Sequence, residues 1–137
     1  MTPPRSTSAR RRRSGCPIAS TLEIVGDRWT LVILRDLLNG KATFSDFLAS
    51  PERITTNVLT DRLAAMERDG LVVRVPYQQR PVRHRYVLTD SGEALLPVLQ
   101  AICRWGNAHV PDTWIPPEAF MRRTVPDPVP ASDGRRR

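Results

Sequence analysis

The chain has 137 residues, enough for one domain with a core of its own and too few for two ordinary ones. It holds no apolar run of about 18 residues, so no membrane-crossing helix is expected, and no apolar segment follows its N-terminal arginines as a secretory signal would require. Its formal charge is +7, while two cysteines and two histidines supply neither a disulfide framework nor a zinc set; a reducing, cytoplasmic setting without metal or cofactor is the expectation.

The charge is unevenly spread. Residues 1–15 carry five arginines and no acid among Pro, Ser and Thr, and are expected to be a disordered basic tail. Residues 16–110 carry eleven basic and ten acidic side chains, so the body is almost neutral and must argue its function from pattern and not from bulk charge. Residues 111–137 hold six prolines and are expected to be a disordered Pro-rich tail, with nothing regular beyond a short turn around Glu118 to Arg123.

Within the body, Ile18, Leu22 and Val25 recur at helical spacing and stop at Gly26. Asp27 can cap a second helix that runs to Asn39, with Gly40 as a left-handed stop. Its apolar residues, from Trp29 to Leu38, surround most of the axis, which predicts a helix in the middle of the core. Thr43 and Asp46 suit the start of a short third helix that buries Phe44, Phe47 and Leu48 and is closed by Pro51. Thr55 or Thr56 opens a fourth helix ending before Gly70, with Leu59, Leu63 and Met66 as its core stripe. At about 100° per residue, Asn57, Asp61, Ala64 and Arg68 project away from that stripe, with Thr60 at the border.

After Gly70 the period changes to two. Leu71, Val73, Val75 and Tyr77 alternate with Val72, Arg74 and Pro76 as a strand. A second strand sets Tyr86 and Leu88 against Arg85, Val87 and Thr89, and a polar loop from Gln78 to Arg83 joins the two. The last helix opens at Thr89 or Asp90 and continues through Leu95, Leu96, Leu99, Ile102 and Trp105; Pro97 either kinks it or marks a later start. This order predicts a mainly α winged helix-turn-helix domain. It has three to four N-terminal helices, a two-stranded wing and a long C-terminal helix.

Particular fragments narrow the reading. Cys16-Pro17 opens the body, and Gly26-Asp27-Arg28-Trp29-Thr30 leads into Leu31-Val32-Ile33-Leu34-Arg35-Asp36-Leu37. Phe44-Ser45-Asp46, Leu59-Thr60-Asp61-Arg62-Leu63, Glu67-Arg68-Asp69-Gly70-Leu71-Val72, Leu88-Thr89 and Trp105-Gly106 follow in order. Over residues 16 to about 110 this string closely resembles the HxlR-type family of transcriptional regulators, within the MarR-like group. It departs from the family pattern at Thr43, where an arginine is common, at Arg53-Ile54-Thr55, which replaces a frequent Gly-Ile-Ser, and at Arg85, often an acid.

A recognition helix needs one face anchored in the core and the other polar and short-sided, so that it can meet base edges in the major groove of double-stranded DNA. Residues 55–68 meet that requirement, and Thr55, Thr56, Asn57, Thr60, Asp61 and Arg62 are the expected contacts. Asn57 is the best placed, since an amide can pair bidentately with adenine; Asp61 either accepts from cytosine or orients Arg62. In the wing, Arg80 and Arg83 are expected on phosphates or in the minor groove, whereas Arg74 and Arg85 suit protection of exposed strands. The N-terminal arginines are either a flexible arm on DNA or an idle tail.

The resemblance implies a homodimer joined through the last helix; repression is the expected sense of regulation, and without a Gly-rich phosphate loop, metal set or nucleophile–base arrangement no enzymatic activity is expected. It also implies a cysteine at position 16 that senses oxidants or electrophiles in some members, with Arg28 or the start of the first helix available to favour a thiolate. Cys103 reads as a small hydrophobe in an amphipathic helix or as a partner thiol across a dimer. The alternative reading is a winged-helix module that binds protein and has no operator.

Overall fold

The computed structural model describes residues 13–127. Residues 1–12 and 128–137, most of the expected N-terminal tail and the last ten residues of the expected C-terminal one, lie outside the described residues. Four helices come first: α1 (Pro17–Val25), α2 (Thr30–Leu38), α3 (Phe44–Leu48) and α4 (Thr56–Arg68). A two-stranded hairpin follows, β1 (Val72–Gln79) and β2 (Val82–Leu88), then α5 (Asp90–Glu93), α6 (Leu96–His109) and α7 (Glu118–Arg122).

Local chemistry sets most of these limits. Pro17 occupies the first turn of α1, where a missing amide costs nothing. The Asp27 carboxylate accepts from the Trp29 and Thr30 amides at 2.8 and 2.9 Å and from the Thr30 hydroxyl at 2.5 Å, fixing the start of α2. Thr43 and Asp46 close a reciprocal capping box on α3: the Asp46 amide donates to Thr43 Oγ1 and the Thr43 amide to Asp46 Oδ2. Thr55 Oγ1 accepts from the Val58 amide at the head of α4. Gly40 and Gly70, with φ of 95° and 79°, turn the chain out of α2 and α4 in a conformation that other residues adopt at a cost.

The core joins α2, α3, α4, α6 and α7. Ile33, Leu34, Leu37 and Leu38 meet Phe47, Leu59, Leu63 and Met66, with Leu96, Leu99 and Phe120 completing the cluster. Each such side chain, fully buried, contributes about 1.5–3 kcal/mol of transfer free energy. Phe47 stands edge-on to Tyr86, 6.2 Å between centroids, and the Tyr86 amide donates to the Ala42 carbonyl at 2.8 Å. The wing is thereby pinned to the segment that precedes α3.

The hairpin pairs Val72 with Leu88, Arg74 with Tyr86 and Gln79 with Val82, with an irregularity between Pro76 and Gln78. The polar loop expected over Gln78 to Arg83 is corrected: both strands continue through it and only Arg80 and Pro81 form the turn, because a hairpin ladder tolerates polar residues whose side chains reach water. Val72 is buried beside the half-buried Tyr86 and Leu88, while Val73, Val75, Tyr77 and Val87 face solvent.

Thr89 ends the wing by donating to the Gly70 carbonyl at 2.6 Å and accepting from the Gly92 amide at 3.1 Å. α5 stops after one turn, and the long helix begins later, with Pro97 in its first turn. The expectation of a disordered tail from residue 111 is corrected for its first part. Phe120 on α7 is 6% exposed in the main core, with Met121 and Val125 packed beside it. The buried Gln100 amide donates to the carbonyls of Phe120, Met121 and Arg123 at 2.9–3.3 Å. Three apolar anchors and one amide suffice to hold a segment whose proline content reads as unstructured.

Candidate nucleic-acid interface

α4 divides its residues sharply. Leu59, Leu63, Ala65 and Met66 are buried, and Thr56, Asn57, Thr60, Asp61, Ala64 and Arg68 are exposed. Buried leucines lock the helix against the core so that the opposite face is presented rigidly, as a groove-reading element requires. Among the expected contacts, Thr55 is engaged as the helix cap, and Thr60 Oγ1 donates back to the Thr56 carbonyl at 2.9 Å. Among the described residues, the Asn57 amide and the Asp61 carboxylate make no hydrogen bond or ion pair, so both keep their full capacity for an incoming partner.

Arg62 departs from the expectation. Its guanidinium lies 3.4 Å from Asp27, with the side chain about one-quarter exposed, which ties α4 to the turn between α1 and α2. One residue after Asp61 on the helix means about 100° around the axis, enough to swing Arg62 off the open face. In this arrangement Arg62 braces α4 against the turn before α2. Burial works against the Asp27 charge, but the Thr30 hydroxyl, the Trp29 and Thr30 amides and Arg62 outweigh it and hold its carboxyl below the usual range.

The wing puts Arg80 and Arg83 at its exposed tip, where the Gln78 amide donates to the Pro81 carbonyl at 3.1 Å. The other two wing arginines are occupied. Arg74 pairs with Glu67 of α4 at 3.3 Å, and Arg85 lies over the Tyr77 ring at 5.3 Å.

A further group escaped sequence reasoning. Arg35 clamps Glu52 with two bonds of 2.7 and 2.9 Å and also reaches the buried Asp36 at 2.9 Å, and Ser50 donates to the same carboxylate. The bonds to Glu52 and Asp36 push the Arg35 pKa up despite its partial burial, so this cation stays charged at any pH the fold survives. The cluster fixes the segment that leads into α4. Its only trace in the sequence is an Arg-Asp pair inside an otherwise apolar helix, which carries no spacing signal for a partner at position 52.

Cys16 is exposed at the N-cap of α1, its amide donating to Ser14 Oγ at 3.1 Å. Arg28, proposed as its electrostatic neighbour, lies over the Trp29 ring at 5.5 Å. Cys103 is half-buried and packs against the core as a small hydrophobe does. Beside it a groove of about 770 Å³ opens between α2, α6 and the segment before α7, walled by Leu31, Ile102, Trp114 and Ile115. Trp105, Trp114 and Ile115 are 62%, 75% and 80% exposed. Among the described residues no helix is long and apolar enough to cross a membrane.

Comparison with known proteins agrees with this architecture. Residues 24–113 match the model of the HxlR-like helix-turn-helix family. YdeP of Bacillus subtilis, an uncharacterized HTH-type transcriptional regulator, is 38% identical over 69% of this chain and 74% of its own length. Among solved structures, the redox regulator HypR in its oxidized form superposes with a TM-score of 0.63 at 33% identity, covering 69% of this chain and 97% of HypR. The reduced form of the transcriptional regulator YodB from B. subtilis gives 0.61 at 27% identity, over 74% and 100%. With a core-anchored polar helix, an arginine-tipped wing and these relatives, the chain belongs to the HxlR-like helix-turn-helix family and is a winged-helix transcriptional regulator, not an enzyme.

Proposed function

We propose that the protein acts in the cytoplasm as a homodimeric repressor that reads a specific operator. Asn57, Asp61, Thr56 and Thr60 face the major groove, Thr55 orients the helix, and Arg80 and Arg83 hold flanking phosphates or the minor groove. The observation that carries this reading is α4 itself: four buried apolar residues on one side and a free amide and carboxylate on the other. The two copies meet through α6 and the segment after it, where Trp105, Trp114 and Ile115 expose more aromatic and aliphatic surface than a monomer keeps in water. Two-fold pairing then sets two recognition helices on a palindrome, about one helical turn apart.

Binding measured against genomic fragments across a salt series tests the reading. A preferred sequence should survive at physiological salt, and alanine at Arg80 and Arg83 together should lower the salt slope by about 2. Affinity that is wholly salt-driven, with no preferred fragment, would favour the protein-interaction alternative.

Cys16 is the proposed sensor of oxidants or electrophiles. Its exposure and the redox regulator HypR among the structural relatives support this. Operator occupancy should change after mild diamide treatment and should stop responding in Cys16→Ser. Unchanged occupancy in the wild type would end the sensor reading and leave the DNA reading intact.

A further inference from the structure

The residue that opens the path into α4 has an unusual backbone. Arg53 sits at φ 63°, in the left-handed region that is strained for a side-chain-bearing residue and that glycine enters freely. The conformation is imposed from both sides. Before it, Ser50 is buried against Asp36 and accepts the Arg53 amide on its carbonyl at 3.0 Å, while Glu52 is held by Arg35. After it, Ile54 is buried in the core and Thr55 caps α4. Nothing in the fold rewards a side chain here. Arg53 is exposed, and among the described residues its guanidinium has no hydrogen bond or ion pair. The carboxylate of its chain neighbour Glu52 is already taken by Arg35 with two bonds.

We infer that Arg53 is a DNA-backbone contact: a charged side chain kept at a glycine-favouring position because it reaches a phosphate beside the base-reading end of α4. This rests on the DNA-binding reading above and names a residue that the recognition helix and the wing do not include. A guanidinium suits the task, since it pairs with two phosphate oxygens in one plane and cannot lose its charge. The clamped loop delivers it without further ordering of the backbone. A phosphate contact adds affinity evenly across sequences and fixes register, whereas Asn57 discriminates among them.

Three variants separate the side chain from the backbone. Arg53→Gly should raise the melting temperature by about 3–6 °C, because the strain is relieved. The same variant should bind operator and non-operator DNA about three- to tenfold more weakly, with the salt slope lowered by about 0.9. Arg53→Ala should lose the same affinity without the thermal gain, and Arg53→Lys should keep the salt slope. If the wild type binds operator and Arg53→Gly binds it equally well with an unchanged slope, the inference is overturned while the DNA reading stands. If the wild type itself prefers no sequence, the DNA reading has failed first. A loss confined to the operator would instead make Arg53 a base contact and overturn the phosphate assignment.

Discussion

The two outward faces of the molecule expose opposite chemistry. Along α4 and the wing tip the exposed polar groups are an amide, a carboxylate, hydroxyls and arginines, set among the smaller apolar Val58, Ala64 and Val82, and each polar group can exchange water for another polar partner at little cost. Around α6 and the following segment, among polar neighbours such as Arg104 and Asn107, the large apolar side chains of Ile102, Trp105, Trp114 and Ile115 are exposed, and these gain only when another apolar surface covers them. The first face suits a partner that comes and goes with salt. The second suits one that stays. A single 137-residue chain carries both, and the proposed function assigns pairing to the apolar one and DNA to the polar one.

The largest effect should come from breaking the apolar side. Placing charge there, as in Ile102→Asp with Trp105→Glu, should yield a folded monomer by sedimentation and reduce operator affinity more than about 100-fold, since one half-site contact set is lost. Full affinity from a monomer would mean that the apolar face serves something other than pairing.

Next in size is Phe120→Ala, which empties a core site and should cost about 3–5 kcal/mol in denaturant unfolding. Because the same segment walls the groove beside Cys103, the variant should also weaken self-association. A change below about 1 kcal/mol would show that residues 118–125 lie on the body without contributing to it.

Arg62→Ala sharpens the polar side. It should lower stability by no more than about 1 kcal/mol, as partly exposed pairs do, and leave the salt slope of DNA binding unchanged. A slope reduced by about 0.9 would return Arg62 to the DNA contacts.

Acid should act most gently. Asp27, Asp46 and Glu52 all have carboxyls held below their ordinary range by amides, hydroxyls and arginines. A depressed folded pKa gives stability that is complete above the unfolded value and is lost as pH falls through the folded one, so the fold should weaken below about pH 4. Asp27→Asn should flatten part of that decline in an acid titration followed by circular dichroism; an identical decline in the variant would remove Asp27 from the groups responsible.

Much of this was legible from the sequence because local rules dominated. Gly40 and Gly70 ended their helices, the Thr43 and Asp46 spacing formed its capping box, and the leucine stripe of α4 fixed which side would be polar. What the sequence hid depended on contacts between distant residues. Arg35 meets Glu52 seventeen positions away, Arg62 turns to Asp27, and Gln100 holds carbonyls 20 to 23 residues ahead. Periodicity describes one element at a time and is silent on such partners. Proline density misled for the same reason: it reports that a segment avoids helix and strand, and says nothing of whether Phe120 finds a cavity to fill.

The central claim is that the polar face of α4 reads base sequence, and Asn57→Ala tests it most directly. Fluorescence anisotropy with operator and scrambled duplexes at one salt concentration should show operator affinity falling by about 1–3 kcal/mol while scrambled-duplex affinity stays constant. Equal affinity of wild type and variant for the operator, or a matching loss on both duplexes, would contradict the account.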